Sequence, residues 1–166
     1  MSTADAMVIN NPFLTGNNEP VYEEITTTDL EVIGEVPADI AGSFLRTGPN
    51  PFYVPDEDKY HIFEGDGMIH GVSFKDGKAT YRNRFVQSKG LEEERTKGEW
   101  IYPGLNMLGE YIAKGEAPGV KNTGNTAMVF HQGQLYTMME GGTPYRISLP
   151  ELETEGEHDF DGAVTH

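Results

Sequence analysis

Residues 60–86 read YHIFEGDGMIHGVSFKDGKATYRNRFV, and this stretch decides the fold. Met68, His70, Val72 and Phe74 alternate with Ile69, Gly71 and Ser73, the period of two that gives a strand two unlike faces. Lys75-Asp76-Gly77-Lys78 follows as a tight turn, because Asp-Gly accepts the positive φ angles a two-residue hairpin demands. Thr80 to Val86 then pairs back. Glu64-Gly65-Asp66-Gly67 predicts an earlier turn of the same kind, making three short strands in all. Up-and-down sheets with tight turns are the building units of propellers and barrels.

The pattern recurs on both sides. Residues 127–131 and 135–140 flank a Gln132-Gly133 turn; on the return strand Tyr136, Met138 and Glu140 share one face and Leu135, Thr137 and Met139 the other. Tyr145-Arg146-Ile147 starts another strand, and 149–154 predicts a polar turn with Leu149 and Leu152 facing inward. Upstream, 22–32 and 43–47 read as strands, the second stopped by Gly48-Pro49-Asn50-Pro51. Leu105, Leu108, Tyr111 and Ile112 fall at helical spacing, predicting a short helical insertion around 103–116 that Gly104, Gly109 and Gly115 weaken. The expected organisation is a flexible polar arm over 1–20, which Asn11-Pro12-Phe13-Leu14 could anchor, and a partial β-propeller domain over 21–166. The strand candidates fill two to three four-stranded blades, which leave open edges and cannot close a ring. The sequence therefore reads as the beginning of something larger.

Composition narrows the function. The chain of 166 residues carries 27 acidic and 12 basic side chains, a net charge of −15. That excludes a nucleic-acid partner, which needs clustered Lys and Arg, and a polybasic grip on anionic lipid. An apolar patch making peripheral membrane contact stays compatible with it. With no cysteine there is no disulfide framework or thiolate metal site. Residues 1–20 have neither a basic nor an apolar leader region, and no apolar run is long enough to span a bilayer, so the expected location is cytoplasmic.

Five histidines are the candidate metal ligands: His61, His70, His131, His158 and His166. None stands in an H-x-H or H-E-x-x-H arrangement. His131 and His158 are expected in solvent, and His61 and His70 half-buried and bonded to backbone. A complete metal site from His61, His70 and His131 is the weakest reading. Asp56 and Asp58 begin like a calcium loop, but its glycine and closing glutamate are missing. Asp159 and Asp161 lie in a polar loop, and no nucleophile elbow, Walker A string or dinucleotide fingerprint is present.

The strings FEGDGMIHG and YRNRFV, with VPADIAGSFLRTGPNPF upstream and MEGGTP downstream, resemble the carotenoid cleavage oxygenases, non-haem iron enzymes that split carotenoids, apocarotenoids and some stilbenes. The resemblance runs from about Leu30 to Gly162 and implies an all-β fold, the opening blades of a seven-bladed β-propeller with the helical insertion near the substrate entrance. It implies an Fe(2+)-dependent dioxygenase that inserts O2 across a C=C bond of an apolar polyene to give two carbonyl products. By the same resemblance Thr126 lines the open position at the iron, and Glu140 accepts the far N–H of an iron-bound imidazole. Met139 stands where stilbene-cleaving members resemble one another in carrying a lysine, which favours an apolar substrate. Thr165-His166 resembles the family's first ligand string, but the spacing from Glu140 is short, so His166 is read as preceding that ligand. On that reading the iron ligands lie beyond this chain, which alone is expected to bind iron weakly and to be inactive. The alternative is a non-catalytic β-propeller-like binding module. Neither oligomeric state nor bond cleaved follows from the sequence.

Overall fold

A computed structural model describes residues 11–54, 56–115 and 119–164. Its frame is two antiparallel four-stranded sheets. The first contains β1 (Thr26–Thr27), β2 (Gly42–Pro49), β3 (Gly67–Lys75) and β4 (Lys78–Phe85) in the order β1-β4-β3-β2. The second is the meander β5 (Ala127–His131), β6 (Gln134–Met138), β7 (Tyr145–Ile147) and β8 (Thr154–Glu157). Helices α1 (Lys89–Lys97) and α2 (Leu108–Ala113) lie in the connection between the sheets.

Both hairpins form where the turn chemistry places them. Asp76 and Gly77 take φ values of 51° and 71°, Gln132 and Gly133 values of 47° and 78°, the left-handed pairs that match the twist of the flanking strands. Opposite faces of β3 then do different work. Ile69 packs with Val86, Leu135, Tyr145, Ile147 and Leu152 in a core shared by the two sheets, whereas Met68 packs with Phe85 and Leu91 beneath α1. Both residues are fully buried, so the start of β3 has no solvent face.

Four expectations need correction. Residues 60–63 form no strand: Ile62–Glu64 is a single 3-10 turn, capped by His61 Nδ1 accepting from the Phe63 N–H at 3.2 Å. Glu64 to Gly67 is accordingly no hairpin turn; Asp66 is buried, its carboxylate accepting from the Phe52 N–H at 3.1 Å. Residues 22–32 contribute only the two-residue β1, because the buried Asn83 side chain takes the neighbouring backbone, accepting from Ile25 N–H at 2.7 Å and donating to the Glu23 carbonyl at 2.7 Å. Leu152 is buried as expected, but Leu149 is 42% exposed.

Helix α1 was not foreseen. Ser88 caps it, its Oγ accepting from the Leu91 N–H at 3.1 Å, and Gly98 ends it in the left-handed region at φ 75°. The helix at α2 falls inside the expected insertion. Of the expected arm, residues 11–20 are tied down: Asn11 is buried and donates to the carbonyls of Glu57 and Tyr60 at 2.6 and 2.8 Å, and Leu14 is 4% exposed. Residues 1–10 lie outside the described residues.

Candidate active site

A cavity of about 390 Å³ opens between the segment carrying α2 and the start of the second sheet. Thr126, Met139 and Glu140 lie on the second-sheet side; Trp100, Tyr102, Leu105 and Leu108 come from the connection, and Phe63 and Glu64 from the 3-10 turn. The lining is mostly apolar, with a few placed polar groups, the composition of a small-molecule site.

The two site residues taken from the resemblance meet here. Thr126 precedes β5, its N–H donating to the Met138 carbonyl at 3.0 Å, which sets it beside the end of β6. Its hydroxyl reaches Glu140 Oε2 at 3.3 Å and Asn125 Oδ1 at 2.9 Å. Asn125 is buried and donates both amide hydrogens, to the carbonyls of Phe63 and Gly65 at 3.0 and 2.7 Å. Thr126 is thereby tied to the 3-10 turn ahead of β3 and to the chain that leaves β6. Glu140 Oε1 makes no hydrogen bond among the described residues.

Behind the wall is a buried ion triad. Lys121 Nζ lies 2.5 Å from Asp66 Oδ1 and 2.5 Å from Glu94 Oε2, and all three residues are at most 9% exposed. Burial pushes the Glu94 carboxyl above its ordinary value; the hydrogen bond and charge of Lys121 pull it down, and Asp66 adds a smaller upward push. Asp66 immediately precedes β3, Glu94 sits on α1 and Lys121 leads toward Thr126, so one ammonium joins three segments around the cavity. None of these charges was singled out in the sequence. Tyr102, whose hydroxyl donates to Glu93 at 2.7 Å, is pushed up to about 12, chiefly by burial and then by that bond.

The histidines do not converge. Among the described residues no group of three or more His, Cys, Asp or Glu side chains is placed to hold a metal. His61 bonds to backbone as expected; His131 is exposed. His158 is not simply solvated but half-buried, stacked on Tyr136 with ring centroids 5.4 Å apart. His70 bonds to the Tyr81 hydroxyl at 2.8 Å rather than to backbone. His166 lies outside the described residues.

Burial, and secondarily the Arg46 charge, hold His70 below the ordinary imidazole value. The neutral ring is the form the fold favours, so its contribution is complete above the unfolded-state value and is lost as pH falls through it. The urea midpoint of the protein is expected to fall between about pH 7.5 and about pH 5.5 by more than that of H70Q. Equal slopes for the two proteins would contradict this assignment.

This frame is shared with known proteins. Residues 18–166 match the family described as retinal pigment epithelial membrane protein, RPE65. Carotenoid 9,10(9',10')-cleavage dioxygenase 1 of Phaseolus vulgaris is 39% identical over 171 residues, covering 93% of this chain and 31% of that protein. The carotenoid cleavage oxygenase of Mycobacterium tuberculosis is 39% identical over 168 residues, covering 99% and 31%. The chain thus spans about a third of the length of the curated relatives it matches. Among solved structures, Pseudomonas brassicacearum lignostilbene dioxygenase superposes with a TM-score of 0.78 at 31% identity, over 92% of this chain and 32% of that one. A Synechocystis apocarotenoid oxygenase variant gives a TM-score of 0.75 at 26% identity, over 89% and 32%. Solved variants of the Synechocystis enzyme replace a threonine, a tryptophan and a glutamate, spaced as Thr126, Met139 and Glu140 are here.

Proposed function

The chain belongs to the RPE65 family of carotenoid cleavage oxygenases, and from that premise we propose that it forms the opening part of an Fe(2+)-dependent dioxygenase that cleaves a C=C bond of an apolar polyene with O2. The observation that carries this reading is the Thr126–Glu140 contact beside an apolar cavity, at the spacing of the residues altered in the apocarotenoid oxygenase.

When bound, the iron supplies activation of O2. The residues described here fit a place one step outside its ligands. Glu140 keeps Oε1 free to accept an imidazole N–H, which would fix the tautomer and orientation of a metal-bound histidine. Thr126, held by Asn125 and Glu140, presents its methyl-bearing side chain to the same space. Met139 offers a polarizable thioether to a polyene chain and no hydrogen to a substrate oxygen. Leu105 and Val120, which line the cavity, are 51% and 65% exposed, and Ile112 on α2 is 64% exposed, apolar surface suited to peripheral contact with the lipid in which such substrates dissolve.

In the complete iron-loaded enzyme, E140Q is expected to lower turnover about 10–100-fold, or to lower iron affinity by a like factor. Polyene turnover and metal content of the two proteins are the measurements. Unchanged turnover with unchanged iron would remove Glu140 from the site.

A further inference from the structure

The part of the cavity wall that carries Leu105 and Leu108 is held by one carboxylate. Glu64 Oε1 accepts from the Leu105 N–H at 2.6 Å. The carbonyl of that same peptide, on Gly104, accepts from the N–H groups of Met107 and Leu108 at 2.9 and 3.0 Å and so starts α2. One peptide group thus gives its N–H to Glu64 and its oxygen to the first turn of the helix. Gly104 shows how closely the carboxylate lies. It is buried, and the three atoms nearest to a Cβ there would all belong to the Glu64 carboxyl group, with Cδ at 2.7 Å and Oε1 at 2.8 Å. Its φ lies outside the left-handed region, so the missing side chain makes room for Glu64 rather than for a turn.

Glu64 is itself anchored on both sides. Asn125 donates to the carbonyls of Phe63 and Gly65, the residues before and after it, at 3.0 and 2.7 Å. Asn125 Oδ1 in turn accepts from the Thr126 hydroxyl at 2.9 Å. An unbroken path of bonds therefore runs from Thr126 through Asn125 and the 3-10 turn to Glu64, and from Glu64 to the peptide that carries Leu105. Asn106 adds a second tie, donating to the Lys59 carbonyl at 2.8 Å.

We propose that Glu64 is a positioning residue that fixes the wall of Leu105 and Leu108 relative to Thr126, and so decides which double bond of a chain-like substrate stops at the reacting position. The proposal rests on the polyene reading of the site and adds to it the device that sets the register. The double bonds of a polyene are chemically alike, so the apolar walls that stop the chain choose among them, and a displacement of roughly 1 Å is enough to change reactivity.

The test uses the complete iron-loaded enzyme with β-carotene and β-apo-8'-carotenal as probes. The carbonyl products identify the bond cut and are read together with KM and kcat. E64A is expected to raise the share of cleavage at a neighbouring double bond about tenfold, the effect of losing one hydrogen bond to a charged group, and to raise KM more than it lowers kcat. E64Q keeps an oxygen for the Leu105 N–H and is expected to restore the parent's product ratio. G104A displaces the carboxylate while leaving Glu64 in the sequence, and should redistribute the products as E64A does. In the double variant the two changes should count once, because the added methyl then meets no carboxylate. Destabilisation alone would lower the amount of active enzyme and leave the product ratio and KM as they were. Should E64A fail to fold, G104A decides the matter. Variants that cut the parent's bond with the parent's KM would overturn the role of Glu64, and so would full additivity of the two changes. An enzyme that cleaves neither probe would instead overturn the polyene reading beneath it.

Discussion

Replacing Lys121 with methionine is expected to destabilise the protein by about 3–5 kcal/mol, the cost of leaving buried charge without its partner. Asp66 and Glu94 are 2% and 0% exposed, and their shared cation is the Lys121 ammonium, 2.5 Å from each. Methionine fills the space of the lysine stem, so the loss reads electrostatics rather than a cavity. The reciprocal change should be mild. E94Q leaves Lys121 paired one-to-one with Asp66, and the amide oxygen can still accept from the Ile101 N–H, which Glu94 holds at 3.3 Å. Because burial raises the Glu94 carboxyl, its contribution is complete below the ordinary carboxyl value and is lost as pH rises through the raised value. E94Q should therefore gain on the parent protein as pH rises, while the K121M loss should be full near neutral pH and shrink as pH falls and the unpaired carboxyls take up protons. Adding D66N and E94Q to K121M should restore most of the loss, since a well-packed uncharged replacement for a buried ionic group costs little. Urea titrations followed by Trp100 fluorescence measure all of these; a K121M variant as stable as its parent would show that the triad holds nothing together.

The strands were legible where local chemistry decides them. Asp76-Gly77 and Gln132-Gly133 needed no tertiary partner to announce their hairpins, and alternation along 68–74 fixed which residues share a face. Reading failed where a distant group overrides the local signal. Asp66-Gly67 looks like a hairpin turn, but Lys121 and the Phe52 N–H hold Asp66 in the interior. Residues 22–32 look like a strand, but Asn83 on β4 replaces ladder bonds with side-chain ones. Helix α1 carried its signal openly in Ser88 and Gly98, and its many charges obscured it. The candidate site divides in the same way. Thr126 and Glu140 came from family resemblance, since nothing in their own spacing joins them across a turn. Lys121, Glu94 and Asp66 were invisible because ion pairs between residues 27 or more apart leave no pattern in a sequence.

Where the two sheets meet, one position has no room for a side chain. Gly67 donates its N–H to the Thr123 carbonyl at 3.0 Å and accepts from the Val86 N–H at 2.7 Å, stitching β3 to the segment that enters β5. A Cβ there would lie 2.6 Å from the Thr123 oxygen, 2.9 Å from Val86 Cγ2 and 3.0 Å from the Gly124 oxygen. Two of those three atoms are backbone, so no rotamer change relieves the contact. G67A is expected to cost about 3 kcal/mol, the upper end for overpacking, because relief requires the 123–124 backbone to withdraw. That withdrawal has a functional direction. Asn125 and Thr126 follow immediately, and moving them loosens the Asn125 bonds to Phe63 and Gly65 and the Thr126 approach to Glu140. In the complete enzyme G67A should therefore lose activity even under conditions where it remains folded. G109A is the matched control: the glycine lies in α2, a Cβ meets nothing within 4 Å, and alanine should stabilise the helix by up to about 1 kcal/mol. If G67A matched G109A in urea stability, the close approach of the two sheets at Gly67 would be wrong. If G67A lost stability yet kept full activity, Thr126 would not depend on that approach for its position.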